Sequence, residues 1–194
     1  MEKNLKVLVV PGSVRTGSYN KALADQAVIA LKKCGVEPTL LDLKELSLPI
    51  YNGDDEAANG LPENAVKIKE LMIEHEAFLF VTPEYNGFIP PLLKNMIDWA
   101  SRQQTAEEPR LKAFKEKKAA IMSASPGVWG GQRAAANLRD LLENINVVVF
   151  PDFFSVAKAD KIFDGAGNLL EEKLASNLQN FMENAISALR SMLE

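Results

Sequence analysis

One cysteine and one histidine among 194 residues leave little for several kinds of chemistry. Cys34, alone, can neither close an intramolecular disulfide nor join a cysteine metal cluster. With His75 as the only imidazole, multi-histidine metal sites are excluded and a histidine-centred triad has little room. No apolar stretch approaches the ~20 residues that span a bilayer as a helix. Met1-Glu2-Lys3-Asn4 leads into an apolar run too short for a secretory signal. There is no basic block: 26 acidic residues stand against 22 basic ones, a formal net charge of −4, without the electrostatic footprint of a nucleic-acid binder. A cytoplasmic protein with neither a nucleic-acid nor a membrane partner is expected.

What is present is ordinary globular material, 47% hydrophobic and 25% charged. A chain of this length is expected to form one domain, 1–194, burying roughly 70% of its unfolded surface. Strand-like and helix-like segments alternate. Lys6–Val10 is short, Val-rich and bounded by Pro11-Gly12. Tyr19, Leu23, Ala27, Ala30, Leu31 and Cys34 then recur at helical spacing up to Gly35. Thr39–Leu43 reads as a second strand, followed by a turn-rich "SLPIYNGD". A helix from Glu63 to His75 precedes the most apolar strand, Ala77–Thr82. Helix 90–101, strand Ala119–Ser123, helix 131–144 and strand Val147–Phe150 follow. Turns at Asp164-Gly165 and Gly167-Asn168 lead to a final helix carrying Leu174, Leu178, Phe181, Met182, Ala185, Ile186, Leu189 and Leu193. Strands that are apolar throughout imply a parallel sheet covered on both faces. Such sheets bind ligands beyond the carboxyl ends of their strands, which directs attention to loops 11–18, 83–89 and 124–131.

The first loop, "PGSVRTGSYN" (11–20), has the Gly12-to-Gly17 spacing of a P-loop, but Ser18 stands where the phosphate-binding lysine belongs. The dinucleotide fingerprint is absent too, so Asp42, near the end of strand two, reads as a solvated strand end. What remains suits a terminal monophosphate: hydroxyls on Ser13, Thr16 and Ser18, the amide of Asn20, the fork of Arg15 and the start of a helix. Lys21, in the first helical turn, opposes the macrodipole unless an anion sits nearby. Ser18 reads equally as a plain helix cap. In the second loop, "TPEYNGFIPPLLKNMIDW" (82–99), Asn86-Gly87 is a turn dipeptide and Pro90-Pro91 opens a helix. Backbone N–H groups from Glu84 to Gly87, with Tyr85 and Phe88, offer a slot for a flat heteroaromatic ring. Tyr85 also reads as a residue packed on the next helix.

Ser13-x-Arg15-x-x-Ser18-x-Asn20, Pro83-Glu84-Tyr85-Asn86-Gly87, Leu93-Lys94-Asn95-x-Ile97-Asp98-Trp99 and "SASPGVWGG" (123–131) together resemble the NADPH-dependent FMN reductase family. That flavodoxin-like group includes bacterial quinone, chromate and azo-dye reductases. The resemblance runs from about Lys6 to Phe150. It implies a three-layer α/β sandwich whose five-stranded parallel sheet has the order 2-1-3-4-5 with helices on both faces. It assigns Ser13, Arg15, Ser18, Tyr19 and Asn20 to the FMN phosphate, Pro83, Glu84, Tyr85, Asn86 and Gly87 to the isoalloxazine, and Ser125 and Gly127 to the other side of the ring. Hydride would pass from NADPH or NADH to flavin N5 and two electrons on to a quinone or other small acceptor, with no catalytic side chain and no metal. N–H donors such as Gly127 or Asn86 would stabilise charge along the N1/O2 edge. A homodimer or homotetramer is implied as well.

Three rivals share the topology. A flavodoxin-like electron carrier would bind FMN without turning over NAD(P)H, and an FMN-binding sensor would act on a partner protein. A phosphoacceptor signalling module needs an acidic cluster after strand one, where Pro11-Gly12-Ser13 stands. Trp129 reads as a border of the nicotinamide site or as a subunit contact. Arg102, Arg133 and Arg139 read as surface charges or as ligands of a pyridine-nucleotide phosphate. Cys34 reads as a small buried hydrophobe and His75 as a helix-end charge.

Overall fold

Alternation along the central strands decides the architecture. In the computed structural model, which describes residues 5–191, β1 (Lys6–Pro11), β3 (Ala77–Thr82) and β4 (Lys118–Ala124) lie side by side with nearly every residue buried. Val7, Val9, Leu79, Val81, Ala120 and Met122 point into one apolar layer. Leu8, Val10, Phe78, Phe80, Ala119 and Ile121 point into the other. Each large apolar side chain so enclosed contributes about 1.5–3 kcal/mol relative to exposure.

Helix α1 (Tyr19–Lys33) and the last helix, α6 (Glu172–Ser191), cover the first layer with Leu23, Ala27, Leu31, Met182, Ile186 and Leu189. Helices α3 (Glu63–Glu74), α4 (Pro91–Ala100) and α5 (Gln132–Asn144) cover the second with Ile68, Met72, Leu93, Met96, Leu138 and Leu142. With β2 (Glu37–Leu40) and β5 (Val148–Val156) the sheet has the order β2-β1-β3-β4-β5, every pair parallel. This is the order the resemblance implied. The chain runs from β1 outward to β2, then crosses to β3 on the other side of β1, so the switch point lies between β1 and β3.

Three elements depart from the sequence reading. β2 begins earlier and ends at Leu40 rather than Leu43. As an edge strand it tolerates Pro38, while Leu41 and Leu43 are buried as core residues beyond its end. β5 runs on past Pro151-Asp152, because Ala119 faces Val149 whereas Ile121 faces Phe153. The strand bulges outward there and resumes with Phe153–Val156; an edge accommodates both the bulge and the proline. Finally, the stretch read as loop contains α2 (Gly53–Asn59). Asn52 caps it by accepting the Asp54 N–H at 2.9 Å, and Asp54, Asp55 and Glu56 complement its dipole. It buries no residue, so no apolar periodicity announced it. Leu193 and Met1–Asn4 lie outside the described residues.

Candidate functional site

All five strands are parallel, so the loops after β1, β3 and β4 gather at one end of the sheet. In the first, Ser18 caps α1 and its Oγ accepts the Lys21 N–H at 3.4 Å. Tyr19 and Asn20, the first helical residues, have N–H groups without intrahelical partners. The Ser13 Oγ accepts the Arg15 N–H at 3.4 Å. The Arg15 guanidinium is exposed, donates to the carbonyls of Thr16 (3.3 Å) and Gly17 (3.1 Å), and lies 5.9 Å from the Tyr19 ring centroid.

The Asn20 side chain also has partners within the protein. Its Nδ2 donates to the Ala124 carbonyl at 2.8 Å, and its Oδ1 accepts the Ala124 N–H at 2.9 Å. The buried amide therefore braces the start of α1 against the end of β4. A side chain 104 residues away from its partner in sequence holds two walls of the site together.

The second loop is a two-residue hairpin. Tyr85 and Phe88 exchange both backbone hydrogen bonds at 3.0 Å, and Asn86 and Gly87 both take positive φ, 52° and 79°. This is the turn that Asn-Gly favours. The Tyr85 N–H is thus spent within the hairpin, while the Tyr85 and Phe88 rings stay about half exposed, at 48% and 51%. Glu84 turns inward: Arg133 donates to its Oε1 from Nη2 and, at 2.8 Å, from Nε, and its Oε2 is buried without a hydrogen-bond partner.

The third loop closes the site. Ser125 donates its N–H to the Val156 carbonyl at 3.0 Å and accepts the Gly127 N–H on its Oγ at 3.1 Å. The Gly127 donor assigned to the flavin edge is therefore engaged within its own loop. Gly131, with φ 88°, starts α5 where any Cβ would come within 2.9 Å of the Ser123 Cβ, so only glycine lets this loop return so closely over β4.

Nine of the twelve residues singled out from the sequence line one cavity of about 130 Å³: Ser13, Arg15, Ser18, Tyr19 and Asn20 from the first loop, Pro83, Glu84 and Tyr85 from the second, and Ser125 from the third. Asn86, Gly87 and Gly127 do not line it and sit in the adjoining turns. Ala124 and Pro126 also line the wall; as apolar residues they carried no signal of their own. The donor set fits FMN: two hydroxyls, a guanidinium and a helix start could hold a phosphate, and the buried Glu84 Oε2, without a donor, could accept a ring N–H.

The other eye-catching residues are accounted for. Arg102 bonds both oxygens of Glu56 at 2.9 Å. Arg139 donates to the Phe150 carbonyl at 3.0 Å and lies 4.1 Å over the Phe153 ring. His75 is buried at the end of α3, between the Leu71 carbonyl (2.6 Å) and the Thr39 hydroxyl (2.8 Å). Cys34 is half-buried beside Gln179, and burial raises its pKa, which keeps it an unreactive thiol. Val128 and Trp129 stand exposed, Trp129 at 62%.

A cavity lined by the loops after β1, β3 and β4 at the switch point of a 2-1-3-4-5 sheet is the arrangement of a flavodoxin-like protein. The chain belongs to the NADPH-dependent FMN reductase family, whose sequence model matches residues 5–161. It is 37% identical to an NAD(P)H-dependent FMN reductase of Pseudomonas aeruginosa, over 94% of each chain. It is 33% identical to a 2-hydroxy-1,4-benzoquinone reductase of a Burkholderia species, over 92% of this chain and 93% of that one. Among solved structures it resembles the flavoenzyme NAD(P)H:acceptor oxidoreductase FerB of Paracoccus denitrificans, with a TM-score of 0.79 at 30% identity, covering 97% of this chain and 98% of the other. An archaeal flavodoxin shares the fold alone, with a TM-score of 0.59 at 10% identity.

Proposed function

We propose that this chain is a single-domain, FMN-dependent NAD(P)H oxidoreductase that takes hydride from NAD(P)H and passes two electrons to a quinone or similar small acceptor. The observation that carries this reading is the convergence of the family's motif residues on one cavity at the switch point. FMN, when bound, supplies the hydride-accepting ring; the protein supplies binding, orientation and electrostatics. Arg15, Ser13, Ser18 and the start of α1 hold the phosphate. Pro83 and Tyr85 flank the ring, and Glu84 Oε2 accepts an N–H from it. No side-chain nucleophile is needed. The half-exposed Tyr85, Phe88 and Trp129 suit a flat aromatic acceptor and a second subunit, so the working unit is a homodimer or homotetramer. No helix among the described residues is long and apolar enough to cross a membrane, and the unpaired thiol of Cys34 suits the reducing cytoplasm.

The test is the anaerobic visible spectrum of the FMN-loaded protein before and after NAD(P)H. Rapid bleaching of a protein-perturbed flavin band, reversed by a quinone, is the expected result. A bound flavin that stays oxidised would make the protein a carrier or sensor, and absence of flavin binding would overturn the site itself.

A further inference from the structure

Three exposed cations lie beside the phosphate loop, towards β2. Arg15, Lys21 and Lys44 line a second cavity of about 260 Å³, set between residues 11–17 and the end of β2. Among the described residues none of the three has a carboxylate oxygen within the 4.0 Å of an ion pair, and Asp25, one turn along α1, acts on Lys21 only at longer range. Arg102 and Arg133, by contrast, are each committed to a glutamate. The one carboxylate on the wall, Asp42, accepts the Lys44 backbone N–H at 2.8 Å in a local turn. Three cations therefore face one acid across a concave surface. Val14 and Leu40, 43% and 40% exposed, add apolar patches to the same wall. An apolar wall with a net cationic rim has the chemistry of a site for a heteroaromatic phosphate monoester.

The two cavities share Ser13 and Arg15, so they are separated only by the crest of loop 13–17. A phosphate in the first cavity draws Arg15, which leaves Lys21 and Lys44 for the second. If the oxidoreductase reading holds, on which this inference rests, a dinucleotide with its nicotinamide at the ring slot has an anionic remainder to place across that crest. We propose that the second cavity receives the adenosine 2′-phosphate of NADPH, held by Lys21 and Lys44, and that it sets a preference for NADPH over NADH. Lys21 then has the anion that its place in the first turn of α1 calls for, in a turn without any acid.

Calorimetric titration of the FMN-loaded protein with adenosine 2′,5′-bisphosphate, adenosine 5′-phosphate and inorganic phosphate tests this directly. The bisphosphate is expected to bind about tenfold more tightly than the 5′-phosphate, the scale of one charge-assisted hydrogen bond. Lys44→Gln is expected to remove most of that difference and the Lys21→Gln/Lys44→Gln double variant all of it. The NADPH-to-NADH ratio of kcat/KM should fall by a similar factor. Equal affinity for the two nucleotides, or a difference that survives the double variant, would overturn the proposal. Inorganic phosphate binding as tightly as the bisphosphate, and depending on Lys44, would mark a free-phosphate site and overturn it as well. Nucleotide discrimination as expected, with a flavin that NADPH leaves oxidised, would uphold the site and sink the oxidoreductase reading instead. Flavin reduced equally well by NADPH and NADH would do the reverse.

Discussion

The loop after β1 and the segment between α4 and β4 treat positive charge in opposite ways. Around residues 101–117 several cations are paired. Lys69, 2% exposed, is bonded to Glu108 and to the Arg102 carbonyl; Lys112 flanks the same Glu108 at 3.6 Å, and Arg102 holds Glu56. Beside the loop after β1, Arg15, Lys21 and Lys44 have no carboxylate within 4.0 Å and border a cavity, Asp25 acting on Lys21 only at longer range. The first set closes a long irregular segment that has little apolar material of its own beyond Ala113 and Phe114. The second set stays exposed and without a close ion pair, Arg15 bonding only carbonyls of its own loop, at the carboxyl end of the sheet. Buried, paired charge holds the one region, and exposed charge without a close ion pair borders a cavity in the other.

The hardest way to break that contrast is to remove Lys69. Lys69→Ala leaves a nearly buried Glu108 charge with only Lys112 and the Gln104 N–H as partners. A loss of about 3–5 kcal/mol is expected, read as a lowered urea midpoint, while the FMN affinity of the folded protein is retained. A loss below about 1 kcal/mol would mean the pair is not structural. Asn20→Ala comes next and couples the two properties. It strands both backbone groups of Ala124 in a buried site, for about 1–3 kcal/mol, and it also frees the wall between the phosphate cradle and the third loop. Stability and FMN affinity should fall together; equal FMN dissociation constants for variant and wild type would show that the brace does not shape the site.

Asn20 also shows where reading the sequence stops. Its place in Ser13-x-Arg15-x-x-Ser18-x-Asn20 marked it as a site residue, and it does line the cavity. Its bidentate grip on Ala124 depends on which strand lies opposite, a matter of tertiary topology with no local signature. The sheet was more legible, because β1, β3 and β4 are apolar runs that only a doubly covered parallel sheet can bury. The edge strands were legible only in part: Pro38 and Pro151 look like strand breakers, yet an edge tolerates both. Helix α2 was invisible to an argument from apolar periodicity, although Asn52 and the three acids behind it are a capping signal. Glu84, assigned to the isoalloxazine by the resemblance, lines the cavity, but its ion pair with Arg133, 49 positions on, needed the fold.

The smallest expected effect sharpens the comparison through its sign. In the 101–117 region burial pushes the Glu108 carboxyl up, but hydrogen bonds from Lys69 and the Gln104 N–H, with the charges of Lys69 and Lys112, outweigh it and hold its pKa below the ordinary value. Glu56 behaves alike: burial raises it, and the bonds from Arg102 and Tyr51 bring it below the ordinary range. Carboxyls lowered in the folded state add stability that is complete above their unfolded pKa and is lost as pH falls through the folded one. On α1, Asp25 is shifted the other way, raised by burial with Lys21 opposing only in part. Its ionised form is a burden on the fold that protonation relieves. Acidification from neutrality to about pH 4, the ordinary carboxylate range, should therefore lower hydrogen-exchange protection of 101–117 while leaving that of the first turns of α1 level or higher. Protection lost first from α1, or from both at one pH, would mean that the two regions unfold as one unit and that the division of charge between them has no energetic consequence.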